Sequence, residues 1–266
     1  MSLIYYIGIQ LYFLLARIFS IFNDKARLFI AGRKGLIHEL EHATQGWSRV
    51  VWFHCASLGE FEQGRPLIEE IKRREPGVKI LLTFFSPSGY QVRKNYEYAD
   101  YVTYLPADTP AHARRLIRLL QPERVYFIKY EFWYFLLREL HRQDVPVYLV
   151  SGIFRKEQVF FKWYGRWFLS MLQYFTHLFV QDESSGRLLE AHYPGSVTVS
   201  GDTRFDRVRQ VVAAARELDP VRQFKGIEQV VVAGSTWPAD EELWARYLLD
   251  SGDAIKLVLA PHEVHP

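Results

Sequence analysis

From residue 50 onward, short runs of β-branched and aromatic residues alternate with longer amphipathic stretches. Buried strands of parallel sheets have the first composition, and the helices that connect them have the second. This alternation predicts an α/β fold with a doubly wound parallel sheet and right-handed crossovers. The predicted strands are 50–54, 78–84, 101–104, 125–128, 147–150, 177–180, 197–200, 229–233 and 256–260, and the clearest helices are 61–74, 110–120, 132–142, 158–173 and 183–192.

A charged stretch at 206–226 divides this pattern into two series, the second of which has only a strand, a helix and a strand. A two-stranded sheet is not stable alone, so these elements either join the first sheet or begin a domain that continues in a longer protein. We favour the second alternative. The predicted organisation is an N-terminal arm at 1–36, a Rossmann-like domain at 37–210 and the incomplete start of a second Rossmann-like domain at 211–266.

The N-terminal arm is almost entirely apolar over residues 3–22, and it contains six aromatic residues. A secretory signal peptide has its basic residues first and a small-residue cleavage site last, whereas here the basic residues come after the apolar run. Arg17 leaves less than the roughly 20 apolar residues of a spanning helix. Aromatic residues favour the headgroup boundary, and the following cations favour anionic lipid. We therefore predict a helix embedded in a membrane or lying on it; the alternatives are an ordinary core helix or a helix that covers a partner.

The net charge of +3 is distributed unevenly, because residues 1–36 carry a local net charge of +4 and the remainder carries −1. A basic excess confined to one arm argues against a general nucleic-acid-binding surface. The single cysteine, 16 glycines and 12 prolines exclude a disulfide scaffold and a collagen-like repeat.

Carboxylates follow two of the predicted strands, at the sheet edge where active sites of such folds lie. The segment 54–60, HCASLGE, places Glu60 where a general base belongs, although a carboxylate in the first turn of a helix also complements the helix dipole. Ser57 is a candidate helix cap, and Gly59 allows a tight turn. Glu131 lies beside aromatic residues, which suits a sugar or lipid acceptor.

Other strand ends carry hydroxyls, cations and small residues. Ser86 and Ser88, in the segment 83–89, suit either helix capping or binding of an anion or sugar hydroxyl, and Arg155 follows another strand. In the second series the segment 234–236, GST, is a candidate phosphate cradle. It lacks the lysine of a P-loop and the three glycines of a dinucleotide fingerprint, which argues against NTP and NAD binding. The histidines form no cluster with metal-ligand spacing.

Taken in order, these segments resemble the family of 3-deoxy-D-manno-octulosonic acid (Kdo) transferases of lipopolysaccharide synthesis. The resemblance extends over nearly all 266 residues. It rests on the apolar arm and on 54–60 HCASLGE, 83–89 TFFSPSG, 105–108 LPAD, 131–133 EFW, 201–206 GDTRFD and 234–236 GST.

The resemblance implies a GT-B glycosyltransferase at the cytoplasmic face of the inner membrane. Its first domain takes the lipid A precursor and its second takes CMP-Kdo, and transfer is inverting, without a metal or other cofactor. Glu60 is then the general base, and Glu131 is the second acidic candidate among the catalytic residues, for positioning the acceptor or the donor. The implied acceptor contacts are Ser57, Gly59, Thr83, Ser86, Ser88, Gly89 and Arg155, and the implied donor contacts are Gly234, Ser235, Thr236 and His262. On charge alone, Arg33, Lys34 and Arg155 are candidates for lipid A phosphates.

The sequence also departs from the family pattern. Lys129 stands where the family often has glutamate, Tyr134 where it has proline, and His262-Glu263 where Arg-His is common. The family continues for a further half-domain with a glycine-rich donor loop, so we expect these residues to bind acceptor and membrane without completing a donor site. Two alternatives remain open at this point: another GT-B-like nucleotide-sugar enzyme such as an epimerase, or, if 266 residues is the natural length, a non-catalytic membrane-bound module that presents an acceptor.

Overall fold

The computed structural model describes residues 1–252 and 255–262, which divide into a first unit up to Gln210 and a second unit from Val211. The first unit contains three N-terminal helices followed by a seven-stranded parallel sheet in the order β3-β2-β1-β4-β5-β6-β7. Its strands are β1 Val50–Cys55, β2 Lys79–Phe84, β3 Tyr101–Tyr104, β4 Arg124–Ile128, β5 Val147–Gly152, β6 His177–Val180 and β7 Val197–Val199. The predicted strands are therefore confirmed to within two residues at each end.

The helices of this unit lie before the sheet and between its strands. They are α1 Ser2–Phe19, α2 Asp24–Ala31, α3 Leu36–Ala43, α4 Leu58–Arg74, α5 Pro87–Arg93, α6 Pro110–Leu120, α7 Tyr134–Arg142, α8 Arg166–Ser170, α9 Glu183–Glu190 and α10 Arg204–Ala213, the last of which runs across the division between the units. Capping side chains determine where two of these helices begin. The Thr109 side chain caps α6 before a proline at its first position, and the Asp182 side chain caps α9.

The sheet of the first unit is buried on both faces, as expected when helices cover both sides. All six residues of β1 are buried. Trp52 packs in the core on one face of the sheet, and Phe53 packs in the core on the other. A parallel sheet with packed cores on both faces confirms the predicted α/β class.

The predicted helix at 158–173 is wrong. A 3₁₀ turn at Val159–Phe161, the short helix α8 and a second 3₁₀ turn at Met171–Tyr174 occupy the region. Gly165 explains part of the break, because a Cβ there would lie 1.5 Å from the carbonyl oxygen of Val159, so the turn admits only glycine. The apolar residues that suggested a helix face instead pack into the core, as Phe160 does.

The second unit contains α11 Asp219–Lys225, β8 Gln229–Thr236, α12 Pro238–Asp250 and β9 Ile255–Pro261. The strands β8 and β9 pair in parallel. The strand-helix-strand series expected here is thus present, with β8 extending three residues further than predicted. The register shifts between Gly234 and Thr236, and the intervening Ser235 has a left-handed backbone with φ of 60°.

Candidate active site

The order of the strands creates a topological switch point between β1 and β4. Chain connections run outward from β1 toward β3 on one side and from β4 toward β7 on the other, so these two strands flank the topological switch point. Ligands of doubly wound sheets bind at such a point, outside the carboxyl ends of the strands. Phe127 pairs with His54 in the register of β1 and β4, so the segments after both strands meet there.

Glu60 lies in the first turn of α4, directly after β1, and its carboxylate is held from two sides. The Ser57 hydroxyl donates a hydrogen bond to Oε2, and Lys129 Nζ lies 3.9 Å from Oε1. The Glu60 side chain is 19% exposed and that of Lys129 is 32% exposed. Ser57 occupies the N-cap position but makes no side-chain capping bond, so the prediction that it caps the helix is wrong: its hydroxyl serves Glu60 instead.

Glu131 belongs to a buried hydrogen-bond network that links the ends of β1, β2 and β4. His54 Nε2 lies 3.0 Å from Glu131 Oε2, and Trp133 Nε1 donates to the same oxygen at 2.7 Å. On the other side of the ring, His54 Nδ1 lies 2.9 Å from Thr83 Oγ1, which also accepts from Trp52 Nε1 at 2.8 Å.

One assignment of hydrogens satisfies the contacts of the His54 ring with Thr83 and Glu131. Trp52 donates to the Thr83 hydroxyl, that hydroxyl donates to Nδ1 of His54, and Nε2–H of His54 donates to Glu131. His54 is fully buried and Thr83 is 1% exposed. The network therefore fixes the position of the Glu131 carboxylate through groups that solvent does not reach.

Two of the predicted acceptor contacts, Thr83 and Gly89, are buried, and Gly59 does not form the expected tight turn. Thr83 lies inside β2, and its hydroxyl oxygen hydrogen-bonds with Trp52 and His54. It therefore positions the side chains of the network and does not face a ligand. Gly59 has an ordinary helical position in α4 and forms no tight turn. Gly89 is buried in α5, where a Cβ would lie 2.2 Å from the Phe84 ring, so packing alone explains this glycine.

The remaining acceptor candidates lie at the surface of the same edge. The Ser86 side chain caps α5 by accepting from the amide of Ser88, and the two hydroxyls are 3.0 Å apart. Arg155 is exposed, and within the described parts of the chain its guanidinium forms no ion pair. The serines and Arg155 are thus available to a ligand, while Thr83 and Gly89 are not.

Cys55, at the end of β1, is a poor nucleophile. Burial raises the pKa of its thiol well above the usual value, and the Glu60 and Glu131 carboxylates add to the effect. The thiol therefore stays protonated and inert.

In the second unit, the ends of β8 and β9 bring two of the donor candidates together. Ser235 Oγ lies 2.7 Å from His262 Nδ1, and the His262 amide donates to the Thr236 carbonyl. Thr236 is mostly buried and its hydroxyl donates to Glu241. Gly234 has open space where a Cβ would stand. Gly234, Ser235 and His262 are therefore exposed to solvent, whereas Thr236 is not.

The family model described as 3-deoxy-D-manno-octulosonic-acid transferase matches residues 29–207. The chain belongs to the Kdo transferase family. The Kdo transferase of Haemophilus influenzae is 25% identical over 226 residues, which cover 81% of this chain and 52% of that protein. The Kdo transferase of Aquifex aeolicus is 36% identical over 84 residues, covering 31% of this chain and 23% of that protein. The chain spans about half the length of the curated relatives that it matches over most of its own length.

The fold of this Kdo transferase family member is of the GT-B type. A solved UDP-N-acetylglucosamine 2-epimerase superimposes with a TM-score of 0.56 at 15% identity, over 82% of this chain and 69% of that chain. At this identity the likeness concerns the fold alone. The predicted GT-B class is confirmed.

Two residues beside the candidate carboxylates, His54 and Lys129, are not among the site residues that the sequence predicts. His54 sits inside a strand, where an apolar run gave no reason to single it out, and Lys129 was noted only as a departure from the family pattern. A pairing of β1 with β4 is what brings both beside the carboxylates.

Two further residues tie the N-terminal helices to this edge. Arg33 was a candidate for lipid phosphate, but its guanidinium donates to the carbonyls of Leu105, Phe29 and Phe85 and lies 3.8 Å from the Phe29 ring. Burial lowers its pKa to about 10. Asp108 accepts hydrogen bonds from the first amides of α7 and from the Tyr5 hydroxyl, and burial raises its pKa to about 6. Both residues are structural.

Proposed function

We propose that the full-length protein carrying these residues transfers Kdo from CMP-Kdo to a lipid A precursor, with inversion at the anomeric carbon. Membership of the Kdo transferase family supports the class of reaction. The observation that carries the proposal is the convergence of Glu60, Lys129 and Glu131 at the switch point between β1 and β4. One of these carboxylates is partly exposed and the other is fixed by a buried network, which suits two different roles.

Glu60 acts as the general base in this proposal. It accepts the proton of an acceptor hydroxyl while that oxygen bonds to the anomeric carbon of Kdo, and the bond from this carbon to the CMP phosphate oxygen breaks. CMP leaves with the electron pair, and attack opposite the leaving group inverts the centre. The Ser57 hydrogen bond orients the Glu60 carboxylate. Glu131, positioned by His54 and Trp133, orients the reacting sugar. As the family resemblance implies, the step uses no bound metal or cofactor.

We assign the acceptor and donor contacts to those candidate side chains that are accessible to a ligand. Ser86, Ser88 and Arg155 offer hydroxyls and a cation to the phosphorylated acceptor at the edge of the first unit. In the second unit Ser235 and His262 are the proposed contacts of the CMP moiety.

The N-terminal helix α1 supports a lipid-linked acceptor. It is 18 residues long and apolar enough to cross a membrane by length and composition. However, it packs against other parts of the first unit at two points: Tyr5, near the start of the helix, contacts Tyr134 and Phe135, and Phe13, past its middle, contacts Phe29. Residues 2, 5, 9, 13, 16 and 20 are half-buried along one stripe, and most of the other face is exposed and apolar. A helix docked in this way suits an orientation in the plane of the inner membrane at its cytoplasmic face.

Single cysteines at Ile4, Leu11 and Ile18 test this orientation, since all three side chains are exposed and follow one another at heptad spacing. Cys55 is the single native cysteine and is buried, so it does not interfere with labelling. Environment-sensitive labels in vesicles containing depth-specific quencher lipids should report the same shallow depth at all three positions. A label that is deepest at Leu11 and shallow at the other two indicates a spanning helix and refutes the in-plane orientation.

The reaction is tested with the purified full-length protein, CMP-Kdo and a lipid A precursor. We expect CMP release that requires the acceptor, together with a lipid whose mass increases by one or more Kdo residues. Glu60→Gln should lower kcat by about 10²–10⁴-fold, the usual contribution of a general base. The matched control is Glu62→Gln on the same helix, because the Glu62 carboxylate pairs with Arg93 at 2.7 Å, away from Lys129, and its activity should stay close to that of the wild type.

Three results contradict the proposal at different points. Undiminished turnover by Glu60→Gln removes the base assignment. CMP release that does not depend on an acceptor indicates a hydrolase. Epimerisation of UDP-N-acetylglucosamine without any Kdo transfer favours the activity of the proteins that share the fold.

A further inference from the structure

Lys129 lies at the topological switch point between β1 and β4, and its backbone has an unusual conformation. It directly follows β4, and its amide donates to the Val150 carbonyl at 2.8 Å. Its φ of 70° lies in the left-handed region, which residues other than glycine seldom adopt. Such conformations persist where the surrounding structure enforces them, and they concentrate at functional sites. The backbone is thus held in an unfavourable state at the one point where the lysine side chain reaches the candidate base.

The contact with Glu60 does not account for this placement. At 3.9 Å, with the lysine side chain about one-third exposed, the pair is too long for a hydrogen bond and adds little to stability. Ser57 already orients the other carboxylate oxygen. Among the residues that the structure describes, the Lys129 ammonium makes no hydrogen bond, so its three N–H donors remain for a ligand.

The chemistry of Kdo supplies an anion at this position. Kdo is an octulosonic acid, a 2-keto sugar acid, so its anomeric carbon is bonded directly to a carboxylate. The acceptor oxygen must lie within hydrogen-bond distance of Glu60 and about 3–3.5 Å from that carbon before attack. The sugar carboxylate therefore comes within a few ångströms of Glu60. Two carboxylates that close repel each other unless a cation stands beside them.

We propose that Lys129 binds the carboxylate on the anomeric carbon of the donor sugar and thereby holds the reacting centre against Glu60. The inference rests on the proposed function, and it adds a specificity determinant to it. In an aldose donor, the anomeric carbon bears a hydrogen in place of the carboxylate, so the Lys129 ammonium has no anion to bind. Lys129 therefore selects for 2-keto sugar acids.

The test compares steady-state kinetics of full-length variants with the donor and the acceptor varied in turn. Lys129→Met should raise the donor KM by about 10–100-fold, the loss expected for a charge-assisted hydrogen bond, while the acceptor KM changes by less than about threefold. Lys129→Arg, which keeps the cation, should recover most of the donor affinity. Ser57→Ala is the matched control, since among the described residues the Ser57 side chain hydrogen-bonds to Glu60 and not to Lys129. This variant should lower kcat and leave the donor KM unchanged.

The second part of the test uses a CMP-Kdo analogue that has a carboxamide in place of the carboxylate. The wild type should use it at least about tenfold less efficiently than CMP-Kdo, whereas Lys129→Met should barely distinguish the two donors. If Lys129→Met instead shows the pattern of Ser57→Ala, the lysine only holds Glu60 and the inference is overturned. A wild type that transfers no Kdo overturns the proposed function together with this inference, and that result is known before any variant is measured.

Discussion

The position of Thr83 gives a sharp test of the buried network beneath the candidate site. Thr83→Val removes the hydroxyl and keeps the shape of the side chain. The indole N–H of Trp52 then loses its acceptor and Nδ1 of His54 loses its partner, and both side chains are fully buried. Each buried polar group left without a partner costs about 1–3 kcal/mol. We therefore expect the free energy of unfolding to fall by about 2–6 kcal/mol, a large fraction of the roughly 5–15 kcal/mol of a typical domain.

Thr83→Ser is the matched control, because it keeps the hydroxyl and removes one methyl group at a cost of about 1 kcal/mol. Equilibrium urea unfolding in detergent, followed by circular dichroism and tryptophan fluorescence, measures both variants. With a urea m value of about 1–3 kcal/mol/M, the valine variant should unfold at a midpoint lower by about 1 M or more. If the valine variant proves as stable as the wild type, or more stable than the serine variant, the Thr83 hydroxyl does not hold the network together.

Three further predictions concern residues that the structure places outside the chemistry. Gly89→Ala should lower the free energy of unfolding by about 1–3 kcal/mol through collision with the buried Phe84 ring, and a urea midpoint equal to that of the wild type contradicts this. Arg33→Met should cost about 2–4 kcal/mol, since three carbonyls lose a charged donor; a thermal melt at the wild-type temperature refutes that role. The raised pKa of Asp108, about 6, means that its protonated form is favoured in the folded state, so the stability it contributes is present below pH 4 and is lost as pH rises through 6. Relative to Asp108→Asn, the wild type should lose about 2 kcal/mol between pH 4 and pH 7, and a pH-independent difference contradicts the assignment.

Much of the first unit follows from local sequence. The segment at β1 is apolar and continuous because both faces of the sheet are covered, and Thr109 followed by proline marks the start of α6. The helix prediction for 158–173 was wrong for a physical reason. The spacing of its aromatic residues suits a helix face, but the turn at Gly165 and the burial of Phe160 require an irregular backbone path. Tertiary packing overrides local propensity there.

Individual side chains of the site were harder to assign than the loops that hold them. Glu60 and Glu131 follow strands in sequence, so their location at the carboxyl edge was predictable. Thr83 and Gly89 belong to the same segment as Ser86 but face inward. The difference arises because the segment was expected to be a single loop, whereas it contains the end of β2 and the start of α5.

The strand order decides whether these groups form one site. Alternation along the chain predicts parallel strands and a common edge, but it does not say which strands are neighbours. If the sheet followed chain order, β4 would lie three strand spacings from β1, about 14 Å away, and Lys129 would not reach Glu60. Because β4 pairs with β1 instead, segments more than 60 residues apart in sequence meet across a single strand spacing, and Lys129 approaches Glu60 to 3.9 Å. The candidate active site is therefore a property of the topology, and substitutions that weaken the β1–β4 pairing should disturb Glu60 and Lys129 together.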